Sequence, residues 1–364
     1  MIFECGSLIV VFPIFILNDR QLLTFPYFSI LLLELLLYTL ACYQTIKVCY
    51  MCVHIRAFHR NMSALILCCS FQWFQAVLAN LFIKPYEIGL WQLNVENERG
   101  RVKQWLTTDE SEFVKVRELG ASEVLFFVGG FLKAQYILAV VTGLLALAVE
   151  RSFACYLLNE YETKTRNDIL VGILLTYQCY SVLGTLLFYF YPLPFYYLIS
   201  FVLAPNAIAL LLLLRAKNYN LSITSSFATR SYSLAARFQA KENMRCFEMI
   251  SSLIRVSVAT ILFGCSTMTV FYLDVLPSLD ILLNSIFQNM LHTYDSTETL
   301  CYHSDASSRY PLVVCPTLMH SVEPWRKFSL FSRRTRRVQQ QNAEVNGKGG
   351  ETDAYFEQLR NAWN

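Results

Sequence analysis

The chain of 364 residues is 55% hydrophobic and 15% aromatic, with only 16% charged residues and a net charge of +3. Soluble domains carry about a quarter charged residues. The composition excludes an ordinary soluble globular domain and implies an integral membrane protein, with the lipid bilayer as a partner and no nucleic acid. The twelve cysteines do not form a disulfide scaffold pattern. Cys42, Cys49, Cys52, Cys68, Cys69, Cys155, Cys179, Cys246 and Cys265 lie in or beside apolar runs, where cysteine behaves as a small hydrophobe. Cys49-x-x-Cys52 has no histidine in ligand spacing and ends a membrane segment, so neither a metal nor a cofactor is expected.

The predicted elements, in chain order, begin with a short apolar run, Leu8–Leu17. It lacks the basic n-region of a signal peptide and reads as an uncleaved extracellular leader, residues 1–24. A helix of about 20 apolar residues crosses a ~30 Å hydrocarbon layer. Phe25–Val48 is the first such span and carries Glu34. Met62–Ile83 is the second, with Gln72 and Gln75 near its middle. Residues 84–123 read as a small soluble loop. Val124–Val149 is the third span, followed by Glu150–Arg151 and an amphipathic continuation to Glu160.

Asp168–Tyr191 is the fourth span. Pro192-Leu193-Pro194 turns the chain at once, which makes spans four and five antiparallel neighbours. Phe195–Leu214 is the fifth, with Pro205 inside it. Residues 215–245 form a basic, serine-rich segment, and Cys246–Leu273 is the sixth span. The seventh is divided: Leu276–Leu291 and Tyr310–Met319 are each too short to cross, with polar residues 292–309 between them. Either the seventh helix is interrupted by an insertion, or this segment does not belong to a working protein. A polar tail, 332–364, is expected to be disordered.

Lysine and arginine cluster after spans one, three and five and in the tail. By the positive-inside rule the N-terminus lies outside and the C-terminus inside. The loop 84–123, though charged, is long enough to translocate as a unit. The sequons Asn61-Met62-Ser63 and Asn220-Leu221-Ser222 are then cytosolic and unmodified. The fold class is an all-α membrane protein, a seven-transmembrane helix bundle over 25–331.

Phe58-His59-Arg60-Asn61-Met62, then Glu150-Arg151-Ser152-Phe153-Ala154 with Asn159-Glu160-Tyr161-Glu162, then Glu323-Pro324-Trp325-Arg326-Lys327-Phe328 occur in an order and spacing that resembles the nematode serpentine receptors of class epsilon. The resemblance covers about 25–331, excluding 292–309. It implies a G-protein-coupled chemoreceptor of the plasma membrane in sensory neurons, with a small-molecule ligand and a heterotrimeric G protein as partners. It also sets Glu150–Arg151 in the place of the acid–arginine pair at the cytosolic end of helix three in rhodopsin-like receptors. An arginine there can pair with its neighbouring acid or reach helix six or a G protein, which makes a bistable element. An interfacial arginine that snorkels and stops the helix is the plain alternative.

Glu34 and Lys133 sit well inside spans one and three. Intramembrane charges usually face the bundle and pair, so the two read as a pair bracing a ligand cavity or as independent water-facing side chains. Asp280 and Asn284, with Gln288 and Asn289, form a polar stripe that either lines that cavity or bonds neighbouring helices. The aromatic run Tyr189–Tyr197 reads as an interface belt. Two other classes compete with the receptor. A transporter or channel is one, although its usual internal repeats are not visible. A non-functional family member is the other. An enzyme is not expected, because His54, His59, His292, His303 and His320 do not cluster.

Overall fold

The computed structural model describes residues 1–14, 16–25, 27–55, 58–95, 102–103, 113–117, 120–158, 166–190, 195–226, 237 and 239–255. Five long helices cross the molecule: α1 (Tyr27–His54), α2 (Arg60–Glu87), α3 (Ala121–Tyr156), α4 (Asn167–Phe190) and α5 (Phe195–Ser225). All five are long and apolar enough to span a bilayer. A sixth helix, α6, is described over 239–255. Asp280 and Asn284, the 292–309 segment and the 332–364 tail lie outside the described residues.

Why these segments are helices follows from the solvent. In hydrocarbon every backbone N–H and C=O must be satisfied within the segment, and a helix does that. Leucines on the outer faces, such as Leu32, Leu35, Leu36, Leu175 and Leu211, are exposed, as lipid-facing side chains are. The helices outrun the expected spans because the polar ends stay helical. At ~1.5 Å per residue the 36-residue α3 is about 54 Å long, well beyond the hydrocarbon thickness. Pro205 does not end α5, and Pro85 sits in the last turn of α2.

α3 is the central helix, packing against α2, α4 and α5. Small residues set how close these helices come, as in membrane bundles generally. A Cβ on Gly129 would lie 2.9 Å from Phe82 Cβ and 3.1 Å from the Ala79 carbonyl. One on Gly184 of α4 would press into the Phe201 ring of α5, which stacks on Tyr180 at 4.4 Å. Polar side chains join helices at mid-depth: Gln75 Nε2 donates to Gln135 Oε1 at 2.9 Å, and the Tyr177 hydroxyl donates to Gln72 Oε1 at 2.6 Å.

The N-terminal residues form strands that lie on the bundle. β1 (Ile2–Cys5) and β2 (Leu8–Val11) form a hairpin whose turn contains Gly6 at φ 64, a conformation glycine adopts without strain. β3 (Ile16–Leu17) pairs with β4 (Val102–Lys103), and β1 also pairs with β5 (Val114–Lys115) in parallel. The segment read as a soluble loop thus supplies two strands to sheets that the leader completes. Asn18 N–H and Asp19 N–H donate to the Tyr86 and Glu87 carbonyls at the end of α2, at 3.0 and 2.9 Å. Met1, Phe3, Val10, Phe12 and Ile14 form one buried cluster with Ile83, Tyr86, Phe126 and Tyr189 of the helices. Apolar side chains at 1–17 gain a hydrophobic surface to cover, and this accounts for their order.

Candidate functional site

Two groups of largely buried charges lie along α3, one at its C-terminal end and one in its N-terminal half. In the first, Glu150 and Arg151 are both fully buried. Arg151 Nη2 donates to Glu150 Oε1 at 2.6 Å and its Nε to Glu150 Oε2 at 2.5 Å, a two-pronged pair between adjacent residues. The remaining edge of the guanidinium faces α6: Nη1 donates to Asn243 Oδ1 and to Cys246 Sγ, each at 3.1 Å. Arginine suits this position because its planar fork can hold two partners at once.

Asn243 is held in turn. Gln239 Nε2 donates to its Oδ1 at 3.2 Å, and its own Nδ2 donates to the Ala154 carbonyl at 3.4 Å. Polar contacts fix the rest of the α6 start. The His59 N–H at the head of α2 donates to Glu242 Oε1 at 2.6 Å, and Asn220 Nδ2 on α5 donates to the Ala240 carbonyl at 2.9 Å. Burial raises the Glu242 carboxyl above the usual range, and Arg151 and the His59 N–H partly offset that rise. Around this network lies an apolar cluster that includes Met51, Phe58, Met62, Ala148, Leu213, Phe247 and Ile250. α6 is therefore helical from residue 239, before the apolar run at Cys246, and its polar first turns are what meet Arg151.

The second group is near the sheets. Lys84 Nζ donates to both Glu34 oxygens, at 2.9 and 2.8 Å, and lies 3.4 Å from Glu87. Lys133 Nζ lies 3.9 Å from Glu87 Oε1, with 1% of its side chain exposed. Glu34 and Lys133 thus belong to one four-residue cluster, and the short contacts run through Lys84 and Glu87. Those two were missed because Lys84 looked like a loop charge. The signal was there in principle, since Lys84 and Glu87 stand at i,i+3 where the apolar run ends.

Tyr189 does not serve in an interface belt. It is 3% exposed, its hydroxyl donates to the Phe127 carbonyl at 2.6 Å, and its ring meets Phe12 and Phe131. An apolar cavity of about 390 Å³ between α3 and α4 is lined by Thr142, Ala146, Phe153, Gly172 and Tyr177 among others. Among the described residues, none of the candidate charges Glu34, Lys133, Glu150 and Arg151 lines it.

A family model described as Sre G protein-coupled chemoreceptor matches residues 1–364. The chain is 37% identical over 374 residues to serpentine receptor class epsilon-45 of Caenorhabditis elegans, covering 97% of this chain and 96% of that protein. It is 28% identical to serpentine receptor class epsilon-38 of the same organism, with 96% of each covered. Serpentine receptor class epsilon-29 matches at 26% over 91% of this chain and 92% of its own length. These matches bear out the resemblance read from the short motifs, and they run across residues 292–309 as well. With its membrane-length helices, the chain belongs to the Sre family of G protein-coupled chemoreceptors, multi-pass membrane proteins with a seven-helix bundle.

Proposed function

We propose that the protein is a chemosensory receptor that takes a small molecule from the side of its N-terminal sheets and couples to a heterotrimeric G protein at the Arg151 end. The N-terminus then faces outward at the plasma membrane of a sensory cell. The observation that carries this reading is the fully buried Arg151, shared between Glu150 on its own helix and Asn243 on α6. That arrangement is one of the two states a switch requires. In the other, α6 moves away, Arg151 keeps Glu150, and the vacated edge meets the G protein. The four charges Glu34, Lys84, Glu87 and Lys133 stand by the N-terminal half of α3, and a ligand that exchanges partners there would bias α2 against α3. Asp280 and Asn284 remain proposed members of the ligand side.

The reading is tested in cells expressing the chain with a set of Gα subunits and exposed to a small-molecule library. A response is expected that depends on one Gα class and is lost in the Glu150→Gln/Arg151→Gln variant at equal surface level. This variant removes both members of the pair together, so neither Glu150 nor Arg151 is left as an unpaired buried charge. A response that persists in the variant contradicts the proposed role of the pair. Antibody access to an N-terminal tag on intact cells decides the orientation, and a tag reached only after permeabilisation contradicts it.

A further inference from the structure

At the sheet end of the bundle one aromatic ring is placed as a ligand would be. Phe12, just past β2, is 1% exposed. Its ring lies parallel to Phe126 of α3, with centroids 4.3 Å apart and planes 10° from parallel. Phe127 and Phe3 meet it edge-on at 5.7 and 5.4 Å, and Tyr189 leans on it at 5.9 Å. The floor is Gly130, where a Cβ would run into the Phe12 ring atoms. α3 and α4 therefore leave a slot one ring thick, walled by Phe126, Phe127 and Tyr189. The ring that fills it comes from outside the bundle. Lys133 stands one turn further along α3 from Gly130 and belongs to the cluster of buried charges.

We propose that this slot is the binding site for a small, flat aromatic molecule, and that Phe12 is its tethered occupant. A parallel stack with edge-on neighbours is the arrangement aromatic rings prefer, and it selects for flatness as well as for apolarity. Apolar cavities of ring size stay dry and take up benzene, so the slot without Phe12 is suited to a free ring. The competition is set by tethering. A ring held on the same chain by a short connection acts at an effective concentration of at least the order of millimolar, reinforced here by the bonds of the Phe12 backbone to Met1, and the apparent affinity of a free ring falls by the fraction of time the slot is closed. Displacing Phe12 loosens the β1–β2 hairpin from α3 at Gly130, one helical turn from Lys133, which links occupancy to the charge cluster. This inference names the ligand class for the receptor proposed above and rests on that reading for its physiological sense.

The test uses the full chain in lipid nanodiscs, with p-fluorophenylalanine at position 12 and fluorine NMR as the readout. The probes are toluene, which is the detached side chain of Phe12, and methylcyclohexane, which has the same size without the flat face. Toluene is expected to move the fluorine resonance saturably toward its solvent-exposed position, while methylcyclohexane at the same free concentration leaves it in place. Toluene binding itself is followed by saturation-transfer NMR on the toluene protons, which needs no label at position 12, and by that readout Phe12→Ala is expected to lower the toluene concentration for half-saturation by about tenfold or more, by removing the tethered competitor. Adding Gly130→Val to Phe12→Ala is expected to abolish binding by filling the slot. A resonance that ignores toluene, that moves equally with both probes, or toluene binding that survives Phe12→Ala/Gly130→Val overturns the proposal. The fluorine measurement is made on the otherwise unaltered chain, so it decides the matter even if the Phe12→Ala chains fail to fold. No G protein is present, so a failed slot and a failed coupling mechanism are told apart.

Discussion

Arg151 of α3 and Asn243 of α6 are joined by a charge-assisted hydrogen bond, Nη1 to Oδ1 at 3.1 Å, between two fully buried side chains. Glu150 satisfies the other edge of the same guanidinium. The arginine has one partner on its own helix and one on α6. Breaking the contact to Asn243 therefore does not strand a buried cation, which separates a movable contact from a structural ion pair.

The Asn243→Ala variant is accordingly expected to fold and to spend more time with α6 displaced. A hydrogen bond to a charged group contributes about 1.5–3 kcal/mol, or roughly a tenfold or larger rise in the displaced population. Cys246 Sγ accepts from Arg151 in the closed arrangement and is buried, so its alkylation by N-ethylmaleimide reports the displacement. A tenfold faster rate in the variant is the expected result, read by mass spectrometry, and an unchanged rate counts against a movable α6.

In the second group, Lys84 holds Glu34 through two short bonds. The Lys84→Met variant leaves Glu34 buried without that partner. Breaking one side of a buried pair costs about 3–5 kcal/mol, so surface expression should fall severalfold. Adding Glu34→Leu removes the lone carboxylate and should restore it. A Lys84→Met chain at normal surface level would show that Glu34 reaches water.

Both sequon asparagines are fully buried and bonded: Asn61 Nδ2 donates to the Arg166 carbonyl at 3.2 Å and Asn220 Nδ2 to the Ala240 carbonyl at 2.9 Å. A glycan on either nitrogen would remove its bond and have no room. Endoglycosidase treatment should leave the electrophoretic mobility of the expressed chain unchanged, and a shift would contradict the packing at this end of the bundle.

Cys5 on β1 is buried between the sheet and the bundle, and burial, with Glu4 nearby, pushes its thiol up to about 11. The thiolate is the reactive form. Since the folded pKa lies above the ordinary thiol value, Cys5 should resist iodoacetamide at pH 8 in the folded chain and react fully once denatured. Rapid modification in the native state would mean that the N-terminal hairpin does not sit on the helices.

The five long helices were legible because each needs enough consecutive apolar residues to cross the hydrocarbon, and Phe25–Val48 or Asp168–Tyr191 need no tertiary context to be read. Helix ends were not legible in the same way. α5 continues through Arg215 and Lys217 to Ser225, because polar residues outside the hydrocarbon keep a helix as readily as they leave it; the start of α6 before Cys246 was readable, from Met244 with the bases Lys241 and Arg245 at helical spacing. The strands at 2–17 were missed because Leu8–Leu17 has no polar–apolar alternation: Val10, Phe12 and Ile14 are buried while Leu8 is exposed, yet both faces carry apolar side chains. Glu150–Arg151 stood out as charges at the end of an apolar run. Asn243 did not, since nothing in a serine-rich basic segment marks the one amide that meets Arg151 in space. Gly130 carried no signal either, because its meaning comes from Phe12, more than a hundred residues earlier in the chain.

In the proposed mechanism Arg151, once released from Asn243, drives coupling to a G protein. Guanine-nucleotide exchange on the cognate G protein, in membranes carrying matched amounts of receptor, tests it without a ligand. Exchange should rise severalfold above the wild-type level with Asn243→Ala and return to background when Glu150→Gln and Arg151→Gln are added to it. Exchange that stays at the wild-type level with Asn243→Ala, or that remains raised without the charged pair, would contradict it.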